Sequence, residues 1–342
     1  MGIFSSLFGK KEPEPQAPQA EEDPAEWLDS PDGAARVDAV SALIERWRQG
    51  DAQAAEIVAP RLTDLLEDSE PMVRAAALAG VRLLRKPENL QKCESAVLAR
   101  LADPVPRVRT AAIWSAMRIG SEAAQAQVRA ALQSTDETLR FTAACALADA
   151  HQSAAMPELL AALRDDHRRQ EAISALMALG DPAAVAELGS LFEQESLGEF
   201  DRTQAAAALA RFGDARGKAH LVSRIQAESD DRPIAVEWAG RLDVQEAVPA
   251  LSELAEAEGD PARGAAIRAL GRLKAPGAEE RLLQIAGDTS APEDLRMDAA
   301  EGLAELGTAP AIELLRRLAA EDGGELGPLS RELLAEVQAN AG

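Results

Sequence analysis

Tyrosine is absent from this 342-residue chain, aromatic residues make up only 3% of it, and there are two cysteines and three histidines. Each shortage removes something. A closed globular core of this length draws on large rings to fill its layers, so their scarcity favours Ala-rich helices packed at short range. Two cysteines, Cys93 and Cys145, cannot form a disulfide framework, which fits a reducing, cytoplasmic setting. Zinc and iron sites need convergent His, Cys or carboxylate ligands, and His151, His167 and His220 have no second His or Cys three or four residues on. No Gly-rich phosphate loop, nucleophile elbow or Cys-x-x-Cys motif occurs. The expectation is therefore no catalytic residues, no metal and no cofactor.

Positive charge is also short. Lys and Arg number 36 against 58 Asp and Glu, a net charge of −22 with a pI near 4.6. Such a chain is repelled by polyanions, so nucleic acid is not an expected partner. No run of about 18 apolar residues is present, which leaves no expected membrane-spanning helix.

What the chain does contain is a repeat. Segments such as VRAAALAGV, VRTAAIWSA, LRFTAACAL and LRMDAAEGL recur, each with an arginine in second place. The anchors are Arg36, Arg74, Arg109, Arg140, Arg169, Arg202, Arg232, Arg263 and Arg296, spaced 29 to 38 residues apart. Three residues after every anchor stands Ala, from Ala39 through Ala299. The fourth position is apolar in all nine copies, and the seventh is Leu, Val or Ala. That spacing is one apolar face of a helix, with a small residue where a neighbour must come close. A second helical pattern precedes each copy, as in AEIVAPRLTDLLED or APAIELLRRLAAED, across turns rich in Asp, Ser, Gly and Pro. The spacing predicts an all-α solenoid of about nine helical hairpins over 27–342, closed by a degenerate final unit, LGPLSRELLAEVQ.

The unit resembles HEAT repeats, especially the short bacterial kind also seen in phycobilin lyases. DSEPMVRAAALAGV (68–81) and DPVPRVRTAAIWSA (103–116) carry the likeness most clearly. The resemblance implies that each anchor arginine pairs with an aspartate of an adjoining unit, a structural role. It implies nothing about chemistry, because such folds carry sites grafted onto them. Metal-dependent hydroxylases built on related repeats use His-Glu pairs, and this chain has no His-Glu dipeptide.

In right-handed arrays of this kind the second helices line an inner face. Positions +2, +5 and +9 from each anchor point away from the core. These positions carry five Arg against eight Asp or Glu. Repeats six to eight alone supply Arg211, Arg241, Arg268 and Arg272 against Glu237, a local positive strip. Two readings stand: a dock for an acidic protein segment, or a solvated face with local ion pairs. Trp114, with Arg118 one turn on, reads either as an interface anchor or as a ring packed sideways on the next repeat. Trp47 and Trp238 fall at core positions, and Cys145, at +5, should face outward.

The first residues, MGIFSSLFGKK, form a separate element over 1–11. Ile3, Phe4, Leu7 and Phe8 make one apolar helical stripe, followed by Lys10 and Lys11. That suits attachment to a membrane surface or docking to a partner helix. Gly2 and Ser6 also fit the loose myristoylation pattern, although the Ala-rich, Tyr-free composition suits a bacterial protein, where that modification is not expected. Residues 12–26 (EPEPQAPQAEEDPAE) lack any large apolar side chain and read as a disordered tether.

The functional expectation is a non-enzymatic, cytoplasmic scaffold or adaptor that binds another protein, with peripheral contact at the inner face of a membrane through 1–11. Two alternatives remain: a phycobilin-lyase-like or chaperone-lyase role, and nucleic-acid processing as in alkyl-base glycosylases built on related repeats. The groove's acidic ends, with Asp38 and Glu45 at one and Asp298 and Glu305 at the other, oppose the latter.

Overall fold

The computed structural model of the chain describes residues 23–321 and 324–340. Residues 1–11, expected to be an apolar and basic docking element, and most of the expected 12–26 tether lie outside the described residues. Residues 23–26 of the 12–26 stretch are described, and 24–26 are helical. Asp23 accepts a hydrogen bond from the Ala25 amide, and Pro24–Trp27 form a 3₁₀ turn with proline in its first position.

The chain divides into two compact units, Met1–Ala146 and Leu147–Gly342. In the first run α1 (Gly33–Arg48), α2 (Ala52–Val58), α3 (Leu62–Leu65), α4 (Pro71–Leu83), α5 (Pro87–Arg100), α6 (Pro106–Ile119) and α7 (Glu122–Ala131), and the division falls within α8 (Glu137–Asp149). The second holds α9 (Met156–Ala162), α10 (Arg169–Leu179), α11 (Val185–Phe192), α12 (Glu199–Arg211), α13 (Ala215–Gln226), α14 (Arg232–Arg241) and α15 (Val248–Glu256). It ends with α16 (Arg263–Arg272), α17 (Ala278–Gly287), α18 (Glu293–Leu306), α19 (Ala309–Leu318) and α20 (Leu326–Asn340). There is no strand among the described residues. The fold is an all-α solenoid of helical hairpins, and α20, the degenerate last unit, packs on α18 and α19.

Local chemistry sets the helix ends. Prolines stand in the first turn of α4, α5 and α6, where the missing N–H costs nothing. Asp32, Asp51, Ser121, Asp214 and Thr308 cap N-termini with their side-chain oxygens. Gly120, Gly180 and Gly307 close α6, α10 and α18 in the left-handed conformation, with φ of 73°, 72° and 61°.

The core follows the repeat register. All nine Ala residues at +3 are buried, as are all nine side chains at +4 and at +7. Each fully buried Leu or Ile among them contributes about 1.5–3 kcal/mol. Two second helices depart from the one-sided pattern. Ala205–Ala210 in α12 and Ala143–Ala148 in α8 (Cys145 and Leu147 among them) are buried all round. Runs this short-chained have no bulk to hold neighbouring helices off. This corrects the outward placement of Cys145, whose thiol is buried.

The anchor arginines tie successive hairpins together. In each of Arg36, Arg74, Arg109, Arg140 and Arg169 a guanidinium N–H donates to the carbonyl six residues earlier, at 2.8–3.0 Å. Arg36 and Asp68 are joined by two parallel hydrogen bonds of 2.8 and 2.7 Å, and Arg74 and Asp103 by two of 2.8 Å. Arg109 pairs with Asp136, Arg169 with Asp201 at 2.7 Å, and Arg232 with Asp260. Arg296 takes Glu321 instead. Arg202 and Arg263 depart from the ladder among the described residues. Arg202 binds the carbonyls of Phe192, Gln194 and Leu197 with only Glu199 of its own helix beside it, and Arg263 binds the Ala255 carbonyl.

Candidate functional site

In the second unit the helices α16 and α18 meet at glycines. A Cβ on Gly271 would lie 2.6 Å from the Gly302 Cα, so no other residue fits that crossing without backbone movement. The close approach brings Arg268 to Asp298 and Glu301 and Arg272 to Glu305 at 3.0 Å, while on the other side Arg272 meets Glu237 of α14 at 3.2 Å. Arg241 pairs with Glu237 at 2.6 Å and lies over the Trp238 ring, 5.9 Å from its centre. Burial works against the Glu237 carboxylate, but Arg272 and Arg241 outweigh it and hold its pKa below the usual range. The positive strip inferred for repeats six to eight is therefore compensated within the molecule. Its missing carboxylates come from the ninth repeat. Arg211 alone of that set is exposed and makes no ion pair among the described residues.

Beside this lattice Arg268, Arg272, Glu301 and Glu305 line a cleft of about 390 Å³ whose other wall is α20, with Leu329, Leu333 and Val337 one turn apart. Glu332 and Glu336 also line it. Carboxylates outnumber guanidiniums there by four to two.

The first unit carries a local patch of the opposite charge. Trp114 on α6 is half-buried, and the Arg82 guanidinium of α4 sits 5.9 Å from its ring centre. Arg118 reaches back to α4, where it donates to the carbonyls of Arg82 at 3.3 Å and Leu84 at 2.6 Å. Those carbonyls lie in the last turn, which lacks intrahelical donors. Arg85 and Lys86 follow on the exposed turn. None of Arg82, Arg85, Lys86 and Arg118 makes an ion pair among the described residues. Sequence reasoning named Trp114 and Arg118 but missed Arg82, Arg85 and Lys86, which fall outside the +2, +5 and +9 register. The signal was the run VRLLRKP, three cations in five residues with no acid between them.

Of the other tryptophans, Trp27 is exposed and Trp238 packs against the core of the second unit from its edge. Trp47 and Trp238 are half-buried, and Trp238 donates its indole N–H to Gln204 at 2.8 Å, linking α14 to α12.

A buried polar cluster in the second unit has the composition of a catalytic group and the geometry of a clasp. The Thr203 hydroxyl donates to Asp231 at 2.7 Å and lies 3.2 Å from His220 Nε2. Arg224 binds the same carboxylate, and Phe192 stands edge-on to the imidazole at 5.2 Å. Asp231 is partly desolvated, yet Arg224 and Thr203 pull its pKa down to about 2. A carboxylate pinned that low is a poor base, and the hydroxyl is fully enclosed. The cluster joins α12, α13 and α14. Cys93 is buried 3.8 Å from the Thr63 hydroxyl, and burial pushes its thiol up, away from thiolate reactivity. No three His, Cys, Asp or Glu side chains converge as metal ligands among the described residues.

Family comparisons agree with this architecture. The model of HEAT repeats matches residues 59–148, 94–177, 229–293 and 248–326, which together span more than half of the chain. The model of the PBS lyase HEAT-like repeat matches residues 168–194. No curated protein matches the chain. Among structures, the chain is similar to the complex of CpcE and CpcF of phycocyanin lyase from Nostoc sp. PCC7120, at 23% identity over 62% of this chain and 94% of that one, with a TM-score of 0.39. A homology model of the full-length AP-3 complex in an intermediate open conformation matches at 12% identity over 92% and 68%, with a TM-score of 0.49. Human deoxyhypusine hydroxylase matches at 20% identity over 73% and 97%, with a TM-score of 0.31. Repeats, register and model agree: the chain belongs to the HEAT-repeat family.

Proposed function

We propose that this chain is a non-enzymatic protein-binding scaffold, whose exposed second-helix faces hold another protein through an acidic segment. The observation that carries the reading is the Arg82–Trp114–Arg118 face. A half-buried indole under the Arg82 guanidinium, with Arg118 one turn along its own helix and neither cation in an ion pair among the described residues, matches the composition of interface hot spots. In a chain of net charge −22, cations left without acids are where an acidic partner gains most. Arg211 offers a further free cation, whereas Arg241, Arg268 and Arg272 would have to exchange internal carboxylates for those of a partner. Residues 1–11, with Ile3, Phe4, Leu7, Phe8, Lys10 and Lys11, serve as a second contact to a partner helix or to the inner surface of a membrane, in a cytoplasmic protein. No described helix is long and apolar enough to cross a membrane.

Capture from native lysate with the wild-type chain and with Trp114→Ala/Arg118→Glu tests this. A partner recovered by the first and lost with the second supports it; a chain that recovers no reproducible partner contradicts it.

A lyase-like role has one observation in its favour, the match of residues 168–194 to the PBS lyase HEAT-like repeat. Chromophore transfer by the purified protein would decide for it.

A further inference from the structure

Beside the ion-pair lattice of α16 and α18 the second unit holds a cleft that the reading of the Trp114 face does not use. We propose that this cleft takes a basic amphipathic helix of a partner protein, laid along α20 with its apolar side inward.

The apolar floor comes from α20. Leu329, Leu333 and Val337 follow at intervals of four residues, a row about 12 Å long at the rise of a helix. Leu333 is buried, whereas Leu329 and Val337 are half-buried and keep part of their surface in the cleft. On the opposite wall α18 sets only Ala304 between Glu301 and Glu305. A large apolar wall faced by one small side chain leaves a slot of about 390 Å³ where a closed helix pair would otherwise form. By contrast, α16 and α18 close on one another at Gly271 and Gly302. A row with four-residue spacing complements a helix that presents its own apolar residues at three- and four-residue intervals.

Charge selects the kind of helix. Glu332 and Glu336 each stand three residues after a floor residue, so they form a second row about 60° round α20 from the first. Both are exposed, and neither makes an ion pair among the described residues. The guanidiniums in the cleft do not answer them. Arg268 is held by Asp298 and Glu301, and Arg272 by Glu305 and Glu237. Each of these cations already has two carboxylates, so an acidic occupant would have to displace one. A basic occupant meets two carboxylates that are open. That arrangement selects Lys or Arg along one flank of the docked helix, next to its apolar side. The net charge of −22 draws such a segment in from a distance. The cleft is thus opposite in preference to the Trp114 face, and neither depends on the other.

The test uses full-length protein and a labelled 14-residue peptide of Leu and Lys only, with Leu at three- and four-residue intervals. It should bind wild type, and a photo-crosslinker at its central Leu should mark residues of α18 or α20. Glu332→Lys/Glu336→Lys should weaken binding at least tenfold, with helicity unchanged. Glu253→Lys/Glu258→Lys changes the net charge equally, at exposed carboxylates that do not line the cleft, and should leave affinity within twofold. A peptide of the same composition with its Leu residues scattered round the helix should bind at least tenfold more weakly. Trp114→Ala/Arg118→Glu should bind the peptide as wild type does, so that failure of the Trp114 reading leaves this one standing. Equal losses in the two glutamate variants would show only the general attraction of a cation to an acidic chain and overturn the assignment. So would equal binding of the scattered peptide, no binding to wild type, or crosslinks away from the two helices. Self-association of wild type that vanishes with Glu332→Lys/Glu336→Lys would place a second copy in the cleft and overturn it too.

Discussion

Arg74 and Asp103, from successive repeats, meet through two parallel hydrogen bonds of 2.8 Å with the carboxylate side chain fully enclosed. The same guanidinium donates to the carbonyls of Asp68 and Ser69, so one side chain joins its own turn to the next. A buried pair broken on one side leaves a charge with less compensation, here only Arg100 at 3.6 Å from the Asp103 carboxylate.

Arg74→Ala is therefore expected to destabilise the first unit by about 3 kcal/mol, the low end for a broken buried pair because Arg100 stays beside Asp103. Arg263→Ala, which removes only a bond to the Ala255 carbonyl, should cost about 1 kcal/mol. Denaturant unfolding followed by helicity compares the two. Equal losses would remove the ladder's special role.

Acid should loosen the array in two steps. Burial pushes the His220 pKa below its ordinary value against the pull of Glu199 and Asp231. The unfolded chain then takes up this proton first, so the contribution is complete above about pH 6.5 and shrinks as pH falls below it. At Asp103 and Asp68 burial raises the carboxyl pKa, but Arg74 and Arg36 more than reverse this, and at Asp136 the Arg109 bond dominates. All three titrate below their unfolded value, so their stabilisation is present above about pH 4 and is lost as pH falls further. Unfolding midpoints between pH 3 and 8 should fall below 6.5 and again, more steeply, below 4. A flat profile through the first step would remove His220 from the account.

Gly271→Val should force α16 and α18 apart and cost about 2–3 kcal/mol, because the added carbons meet backbone and not a movable side chain. The same change should free Arg268 and Arg272 from Asp298, Glu301 and Glu305. Increased salt sensitivity of any binding to that face would report it. Unchanged stability would mean that the crossing is looser than the geometry requires.

Thr203→Val removes a hydroxyl that holds Asp231 and touches His220, at a cost of about 1–3 kcal/mol. The Asp231 carboxyl should titrate higher than about 2 in the variant, measurable by carbon NMR. An unmoved titration would show that Arg224 alone sets it.

The repeat was legible because each unit buries the same local positions. Ala39 through Ala299 at +3 meet neighbours one repeat away, so spacing alone identifies them. What a unit meets from elsewhere was less legible. Cys145 and Ala207 are enclosed because Ala-rich helices let their neighbours close in, a property of the pair and not of one helix. Arg268 and Arg272 looked free because their carboxylates, Asp298 and Glu305, belong to the following repeat. Arg82 was overlooked for the converse reason. At +8 it lies off the register, and only the packing of α4 on α6 places it over Trp114.

The central claim is that the Trp114 face binds a protein partner. Isothermal titration of the captured partner into wild type and into Trp114→Ala/Arg118→Glu tests it most directly. The account predicts a loss of at least tenfold in affinity, as removal of a hot spot requires. An affinity within twofold of wild type would contradict it.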